Sequence, residues 1–263
     1  MNTLLVNKNG IILRVLKTEH EQFWSSLTKG EWEPETFEIF DRFITRDFTY
    51  LDIGAWIGPT LLYASHFAKE AYGFEPDPIA FNELAANLKL NSKLNNVKIY
   101  QTLIGNINGK VRFGNRHSCG DSQGSILFAD RQTSWEVDSV RLENVVQREK
   151  IQPPLFIKID IEGGEYSLVP SLKKLFRDMR PIVYLSLHPS FFFMSLYPGS
   201  TSLIKRILRR IKYVVAHMRL VMSLRAFRHI YDSHGNEINV FKSLVNVIFV
   251  KDMVEGNSIL AMD

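Results

Sequence analysis

Three short stretches carry most of the residues able to do chemistry. The first is Tyr50-Leu51-Asp52-Ile53-Gly54-Ala55-Trp56-Ile57-Gly58, an apolar run that opens into a glycine turn. Gly54 and Gly58 let the backbone approach a ligand closely, and a helix starting after such a turn offers free N–H groups to a carboxylate. Glu75 ends the next apolar run, where a carboxylate can grip a ribose diol, as in many doubly wound nucleotide sites. The turn lacks the Gly-x-Gly-x-x-Gly order of dinucleotide sites, because Trp56 stands between its two glycines. Asp52 before it would repel a pyrophosphate but attract the ammonium of a methionine moiety. Asp52, Gly54, Ala55, Gly58 and Glu75 are therefore candidate cofactor contacts; the alternative is a tight strand-to-helix turn with no ligand.

The second stretch is Phe156-Ile157-Lys158-Ile159-Asp160-Ile161-Glu162-Gly163-Gly164-Glu165. So many ionisable groups at the mouth of a buried strand are costly unless paired or functional. Period two puts Lys158 and Asp160 on one side of the strand, where they can neutralise one another as a structural ion pair. Asp160 also sits at the strand's carboxyl end, where doubly wound sheets hold their ligands, so it is a candidate for both cofactor binding and catalysis. Glu165 opens the following helix and complements its dipole. The third stretch, Leu185-Ser186-Leu187-His188-Pro189, ends another strand. Imidazole is the natural acceptor for a hydroxyl proton near neutral pH, which makes His188 the candidate base. No His, Cys, Asp and Glu spacing typical of a metal site is present, although Asp160 and Glu162 could contribute to one.

The elements that must position these groups alternate. Helical spacing behind Pro34 predicts a helix over 35–46, followed by a strand at Thr49–Ile53, a helix at Thr60–Phe67 and a strand at Ala71–Phe74. A helix over Pro78–Leu90 and a strand at Val97–Tyr100 continue the order. Residues 105–135, rich in Gly, Asn and Ser, read as a hairpin insertion or flap whose Ser118-Cys119-Gly120-Asp121-Ser122-Gln123-Gly124 could close over a cofactor. The rhythm resumes with strands at Leu155–Ile161 and Ile182–Leu187 around a helix at Glu165–Phe176. A basic helix at 202–217 comes next, then closing strands at Phe227–Tyr231 and Val245–Val250 around His234-Gly235-Asn236. Alternation with short connectors predicts an α/β doubly wound, mostly parallel sheet. Residues 1–34 read as an N-terminal segment packed on one domain that spans 35–263.

Composition narrows the classes. The chain has 263 residues, 45% hydrophobic and 23% charged, which is globular rather than disordered. Its net charge of +4 is local: from Lys205 to Arg228 there are Lys and Arg residues but no Asp or Glu. Leu203, Ile204, Ile207, Leu208 and Ile211 fall on one face of the basic helix. Docking of that face onto the sheet is the favoured reading, and weak contact with anionic surfaces is the alternative. The single cysteine, Cys119, fits a reducing compartment. With no leader-like start and no run near the ~18–20 apolar residues of a membrane span, a cytoplasmic location is expected.

Together YLDIGAWIG, GFEPDP at 73–78, FIKIDIEGGE and SLHP resemble the FkbM family of S-adenosylmethionine-dependent methyltransferases, from about Trp32 to the expected last strand near Val250. The resemblance implies a Rossmann-like class I domain with a seven-stranded sheet and a reversed last strand. It also implies S-adenosyl-L-methionine as cofactor and O-methylation of a sugar, glycan or natural-product hydroxyl. Two positions depart from the pattern: Trp56 stands where Asn is common, and Ser186 where many members have Glu. The alternatives are a nucleic-acid methyltransferase and a non-catalytic cofactor-binding protein. Nucleic acid is disfavoured, since no Asn-Pro-Pro-Tyr-like block or interleaved aromatic and basic surface is present.

Overall fold

The computed structural model describes residues 2–115, 120, 122–129, 134–198, 202–232, 235–238 and 257–263. The N-terminal segment forms an antiparallel hairpin, β1 (Thr3–Lys8) and β2 (Ile11–Leu16), and a helix, α1 (Glu21–Lys29). Asn9 and Gly10 both take positive φ at its tip, the demand of a two-residue hairpin turn that Asn-Gly meets best. The alternating elements follow: α2 (Pro34–Phe43), β3 (Thr49–Ile53), α3 (Pro59–Ala64), β4 (Glu70–Phe74), α4 (Pro78–Leu90) and β5 (Val97–Tyr100). An insertion carries β6 (Leu103–Ile104), β7 (Gly109–Asn115), β8 (Gly124–Ser125) and β9 (Ser134–Val140). Then come α5 (Leu142–Arg148), β10 (Leu155–Ile159), α6 (Glu165–Ser171), α7 (Lys173–Met179), β11 (Ile182–Leu187) and α8 (Pro189–Ser195). The chain closes with α9 (Leu203–Leu224), β12 (His229–Asp232) and β13 (Asn257–Met262).

The main sheet has seven strands in the order β12-β13-β11-β10-β3-β4-β5. Its pairings are parallel from β11 through β5, whereas β13 runs antiparallel to both β11 and β12. This is the α/β, mostly parallel sheet that the alternation predicts, with the reversed last strand that the resemblance implies. The insertion forms a separate four-stranded sheet, β6-β9-β7-β8.

Period two along the central strands makes two cores. Leu51, Ile53, Ile157, Ile159, Val183 and Leu185 face one side and pack with α5, α6, α7 and α9. Tyr50, Phe156 and Tyr184 face the other and join residues of the N-terminal hairpin, α1, α2, α3 and α4. Such strands, apolar on both faces, are what a parallel sheet covered by helices requires. The parallel register sets Lys158 opposite Asp52 and Tyr184, so a charged pair is built into the second core at the strands' carboxyl ends.

Several elements differ from the sequence expectation. The single helix expected at Glu165–Phe176 is broken into α6 and α7; Pro170, in the last turn of α6, has no N–H to bond and stops it. Asp160 lies just past β10 rather than within the strand. The basic helix runs on to Leu224, because Leu220, Val221 and Leu224 extend a docked face past residue 217. The segment 1–34 is more structured than a run of apolar pieces suggests. The closing strand is Asn257–Met262, and the expected strand at Val245–Val250 lies outside the described residues, as does His234 of the predicted turn.

Tight sheet-to-helix contact gives a test. A Cβ built on Gly73, in β4, would lie 2.4 Å from Leu61 Cδ2 and 3.5 Å from Ala55 Cβ. Gly73→Ala should therefore destabilise the protein by about 1–3 kcal/mol through overpacking, read as a lowered thermal midpoint.

Candidate active site

The glycine turn after β3 and the end of β4 form one wall of a cleft. Gly54 takes φ +89, and a Cβ there would lie 1.9 Å from the Asp160 carbonyl oxygen, so no side chain fits between the ends of β3 and β10. Trp56 also takes positive φ, +47. That region suits Asn far better than a bulky residue, so Trp56 is held in a strained backbone conformation. The bend aims the Trp56 N–H at Glu75 Oε2 (2.9 Å), while the Asp77 N–H donates to Glu75 Oε1 (2.7 Å). Burial pushes the Glu75 carboxyl up to about 8 despite these two hydrogen bonds. Each carboxylate oxygen keeps a second lone pair for a ligand hydroxyl.

The cleft is lined by Gly54, Trp56, Glu75 and Asp77 on one side, Thr102–Ile107 and residues of β7 on another, and Asp160, Ile161 and Gly164 at its far end. Asp77 ties the parts together. Its Oδ1 caps α4 by accepting from Ile79 N and Ala80 N, and its Oδ2 accepts from Asn115 Nδ2 (2.6 Å) and Gly120 N (2.7 Å). Trp56 Nε1 donates to the Gly120 carbonyl (3.0 Å). The insertion is thus pinned at Gly120 against the Trp56 and Asp77 side of the cleft; Ser118, Cys119 and Asp121 of the flap lie outside the described residues.

Beneath the cleft, Asp52 is fully buried. Its Oδ2 accepts from Thr60 Oγ1 (2.7 Å), and its Oδ1 faces the Lys158 ammonium at 3.9 Å. Burial raises its pKa, against the pull of Lys158 and Thr60. Lys158 donates to Asp160 Oδ2 at 2.9 Å. Burial pulls the Lys158 pKa down, but Asp160 and Asp52 outweigh it and hold the ammonium charged. Asp160 sits at the crossing of two charge systems, with burial raising its pKa and Lys158 and His188 bringing it below the ordinary range.

His188 caps the end of β11 among three carboxylates. Its Nδ1 meets Glu165 Oε1 at 3.1 Å, and its Nε2 lies 3.7 Å from Asp160 Oδ1 and 3.6 Å from Glu162 Oε2. Burial lowers its pKa, but the Glu165 hydrogen bond and the charges of Glu165, Asp160 and Glu162 push it up to about 10. The histidine is therefore an imidazolium at neutral pH rather than a group titrating near neutrality. Asp160, Glu162 and His188 are also the cluster among the described residues able to hold a metal ion, with ligand atoms all within 4.8 Å of one another.

Of the residues expected from sequence, Gly54, Glu75 and Asp160 line the cleft, and His188 stands beside Asp160. Asp52, Ala55 and Gly58 do not line it: Asp52 anchors Lys158, Ala55 is buried with its N–H on the Phe74 carbonyl, and Gly58 forms the left-handed cap of α3 against Leu84. Sequence reasoning missed four residues. Asp77 had a readable signal, an Asp before the Pro that opens a helix. Thr60 and Asn115 had none. Glu33 had none either; its pKa is raised by burial and by nearby Asp160, and it accepts from Thr36 Oγ1 at 2.9 Å. Glu165 does more than complement a helix dipole, since it also accepts from the Ile161 N–H at 3.0 Å and orients His188.

Residues 52–228 match the model of the Methyltransferase FkbM domain. The chain belongs to the FkbM methyltransferase family. Methyltransferases of this kind use S-adenosylmethionine as methyl donor. Among solved structures, Methyltransferase FkbM from Methylobacillus flagellatus KT is 17% identical, with 67% of this chain and 46% of that chain covered at a TM-score of 0.40. This FkbM chain therefore spans about half the length of that protein. SMU.1697c from Streptococcus mutans, determined in complex with SAH, is 10% identical, with 87% and 96% covered at a TM-score of 0.42. An rRNA methylase from Streptococcus thermophilus is 8% identical, with 86% and 92% covered at 0.40. No curated protein matches the chain.

Because Asp77 caps α4 and pins Gly120, Asp77→Ala should cost about 1–2 kcal/mol of stability for the lost cap. It should also speed proteolytic nicking within 105–135 in the still-folded protein. Unchanged nicking would mean that the insertion is held by other contacts.

Proposed function

We propose that this FkbM protein O-methylates a hydroxyl of a sugar, glycan or natural product with S-adenosylmethionine. The observation that carries the reading is one cleft lined by two carboxylates, the buried Glu75 and Asp160, with His188 standing beside Asp160. Glu75 fits a ribose diol, because its oxygens are fixed by backbone donors and keep lone pairs to accept hydroxyls. Gly54 fits close passage of a ligand along the backbone between Glu75 and Asp160. The acidic surroundings of Asp160 suit a cofactor that carries a sulfonium and an ammonium. When bound, S-adenosylmethionine supplies an electrophilic methyl group.

The chain's own task is to position the acceptor hydroxyl and take its proton. In this reading His188 takes that proton at Nε2, oriented by Glu165 at Nδ1, the arrangement in which a carboxylate fixes the tautomer of a base. Asp160 positions the acceptor or the cofactor. Asp52 contributes through Lys158, and Ala55 and Gly58 contribute by shaping the turn. Residues 35–263 are the catalytic unit, and residues 1–34 brace it where Phe23 and His20 pack edge-on against Trp56. No helix among the described residues is long and apolar enough to cross a membrane, and with the single Cys119 this favours the cytoplasm.

Glu75→Ala should weaken S-adenosylmethionine binding by about 1–3 kcal/mol in calorimetry, the cost of leaving buried hydroxyls without their hydrogen-bond partner. Tighter binding of NAD than of S-adenosylmethionine by the parent protein would reverse the cofactor assignment.

The base has its own signature. His188 must lose a proton before it can accept one, so turnover should climb with pH from 7 towards the value of about 10 set by its carboxylates. His188→Ala should lower turnover by about 10²–10⁴ and abolish that climb while leaving cofactor affinity intact. The folding linkage has the same origin. A folded pKa raised above the ordinary 6.5 gives stability that is complete below about 6.5 and lost as pH rises through about 10. The parent should therefore lose stability relative to His188→Ala across that window. Turnover that needs a divalent ion, and fails in chelator, would instead reassign Asp160, Glu162 and His188 to metal binding.

A further inference from the structure

α9 has two apolar faces, and the protein uses one. Tyr213, His217, Leu220, Val221 and Leu224 are buried against the body, with α6 and α8 among its partners. On the opposite side Ile204, Ile207, Ile211, Val215, Met218 and Met222 form a stripe, each between 41% and 70% exposed. Their spacing of three and four residues keeps them in line along the helix, over roughly 27 Å at about 1.5 Å per residue. The expectation that Leu203, Ile204, Ile207, Leu208 and Ile211 dock onto the sheet is thus incorrect, since all five point to solvent. Periodicity identifies an apolar face but not which of two faces is covered.

Charge identifies the occupant. Lys205, Arg206, Arg210, Lys212 and Arg219 flank or oppose the stripe, and α9 carries no Asp or Glu. We infer that α9 is an interfacial helix that lies flat on an anionic lipid bilayer, with the stripe in the acyl boundary and the cations among the headgroups. An amphipathic helix with large apolar residues on one face and Lys and Arg on the other is built for this position. A second copy of the chain fits worse, because pairing two such faces sets cation against cation. Residues 239–256 fit worse too: Lys242 and Lys251 are balanced by Asp252 and Glu255, so the segment brings no opposing charge. Nucleic acid would meet the cations but leave the stripe in water. Arg209 already donates to the Leu196 carbonyl at 2.6 Å and lies over the Phe193 ring. α9 is thereby tied to α8, the helix that starts beside His188, so a docked α9 holds the acceptor side of the site next to lipid.

The test is co-sedimentation of the full chain with phosphatidylglycerol–phosphatidylcholine vesicles and with phosphatidylcholine alone. The parent should bind the anionic vesicles, less so as salt rises. Lys205→Gln, Arg206→Gln and Arg210→Gln together should weaken low-salt binding roughly a hundredfold. Ile207→Ser, Ile211→Ser and Met218→Ser together should weaken it about tenfold or more even at high salt, which a purely ionic contact would not do. A nitroxide on Met218→Cys, in a Cys119→Ser background, reads immersion without removing the stripe; its accessibility to oxygen should rise on vesicles. The inference fails if the folded parent ignores anionic vesicles, or if the serine variant binds as well as the parent. It fails equally if the label stays in water, or if the stripe is buried in a homodimer or binds RNA more tightly than vesicles.

Discussion

The buried ammonium of Lys158 is the constraint around which the site is organised. A cation enclosed at the mouth of a parallel sheet is tolerated only with carboxylates at hand, and removing one partner of such a pair typically costs about 3–5 kcal/mol. β3 supplies Asp52 by register, and the residue just beyond β10 supplies Asp160. From that centre the contacts run in both directions. Asp52 reaches Thr60 in the first turn of α3, and Asp160 reaches His188 and, through it, Glu165 at the start of α6. The glycine-turn side of the cleft and the His188 cluster are therefore parts of one electrostatic unit. Lys158 holds Asp160 ionised, Asp160 helps hold His188 protonated, and a change in any member alters the others' protonation.

Trp56 plays the corresponding part in joining the layers. Its strained backbone turns an N–H onto Glu75, its indole N–H holds the Gly120 carbonyl, and its ring meets Phe23 and His20 from the N-terminal segment. An Asn would relieve the left-handed conformation but could not span from insertion to N-terminal helix. The departure from the family pattern exchanges backbone comfort for cross-bracing. A cleft between an inserted sheet and a glycine turn gains rigidity from that exchange, and preorganised donors and acceptors need it.

Much of this was legible in the sequence, for reasons that are local. Gly54, Glu75, Asp160 and His188 each end an apolar run, and parallel sheets place ligands at strand carboxyl ends. The mostly parallel sheet followed from alternation, and its seven strands and reversed last strand from the family resemblance. What escaped were relations across the chain. Asp77 finds Asn115 and Gly120, Glu165 finds His188, and Glu33 feels the like charge of Asp160, none of which spacing can announce. The shift of His188 to about 10 escaped for the same reason, since three carboxylates from three sequence positions produce it. The helix break at Pro170 was visible in principle but was masked by the amphipathic pattern on either side of it.

The chain's charge is segregated in a way that its net value of +4 conceals. Around Lys158 and His188 the carboxylates of Asp52, Asp160, Glu162 and Glu165 outnumber the cations, within a region shielded from solvent where fields act strongly. Along α9 the reverse holds: cations without acids, exposed to water and screened beyond a Debye length of about 8 Å. The two concentrations can coexist because one is buried and locally compensated and the other is solvated. Each suits a different counterpart, the inner one a small cationic cofactor and the outer one an extended anionic surface. An average over the whole chain would predict neither, because the sign that matters to a ligand is the sign within a few ångströms of where it binds.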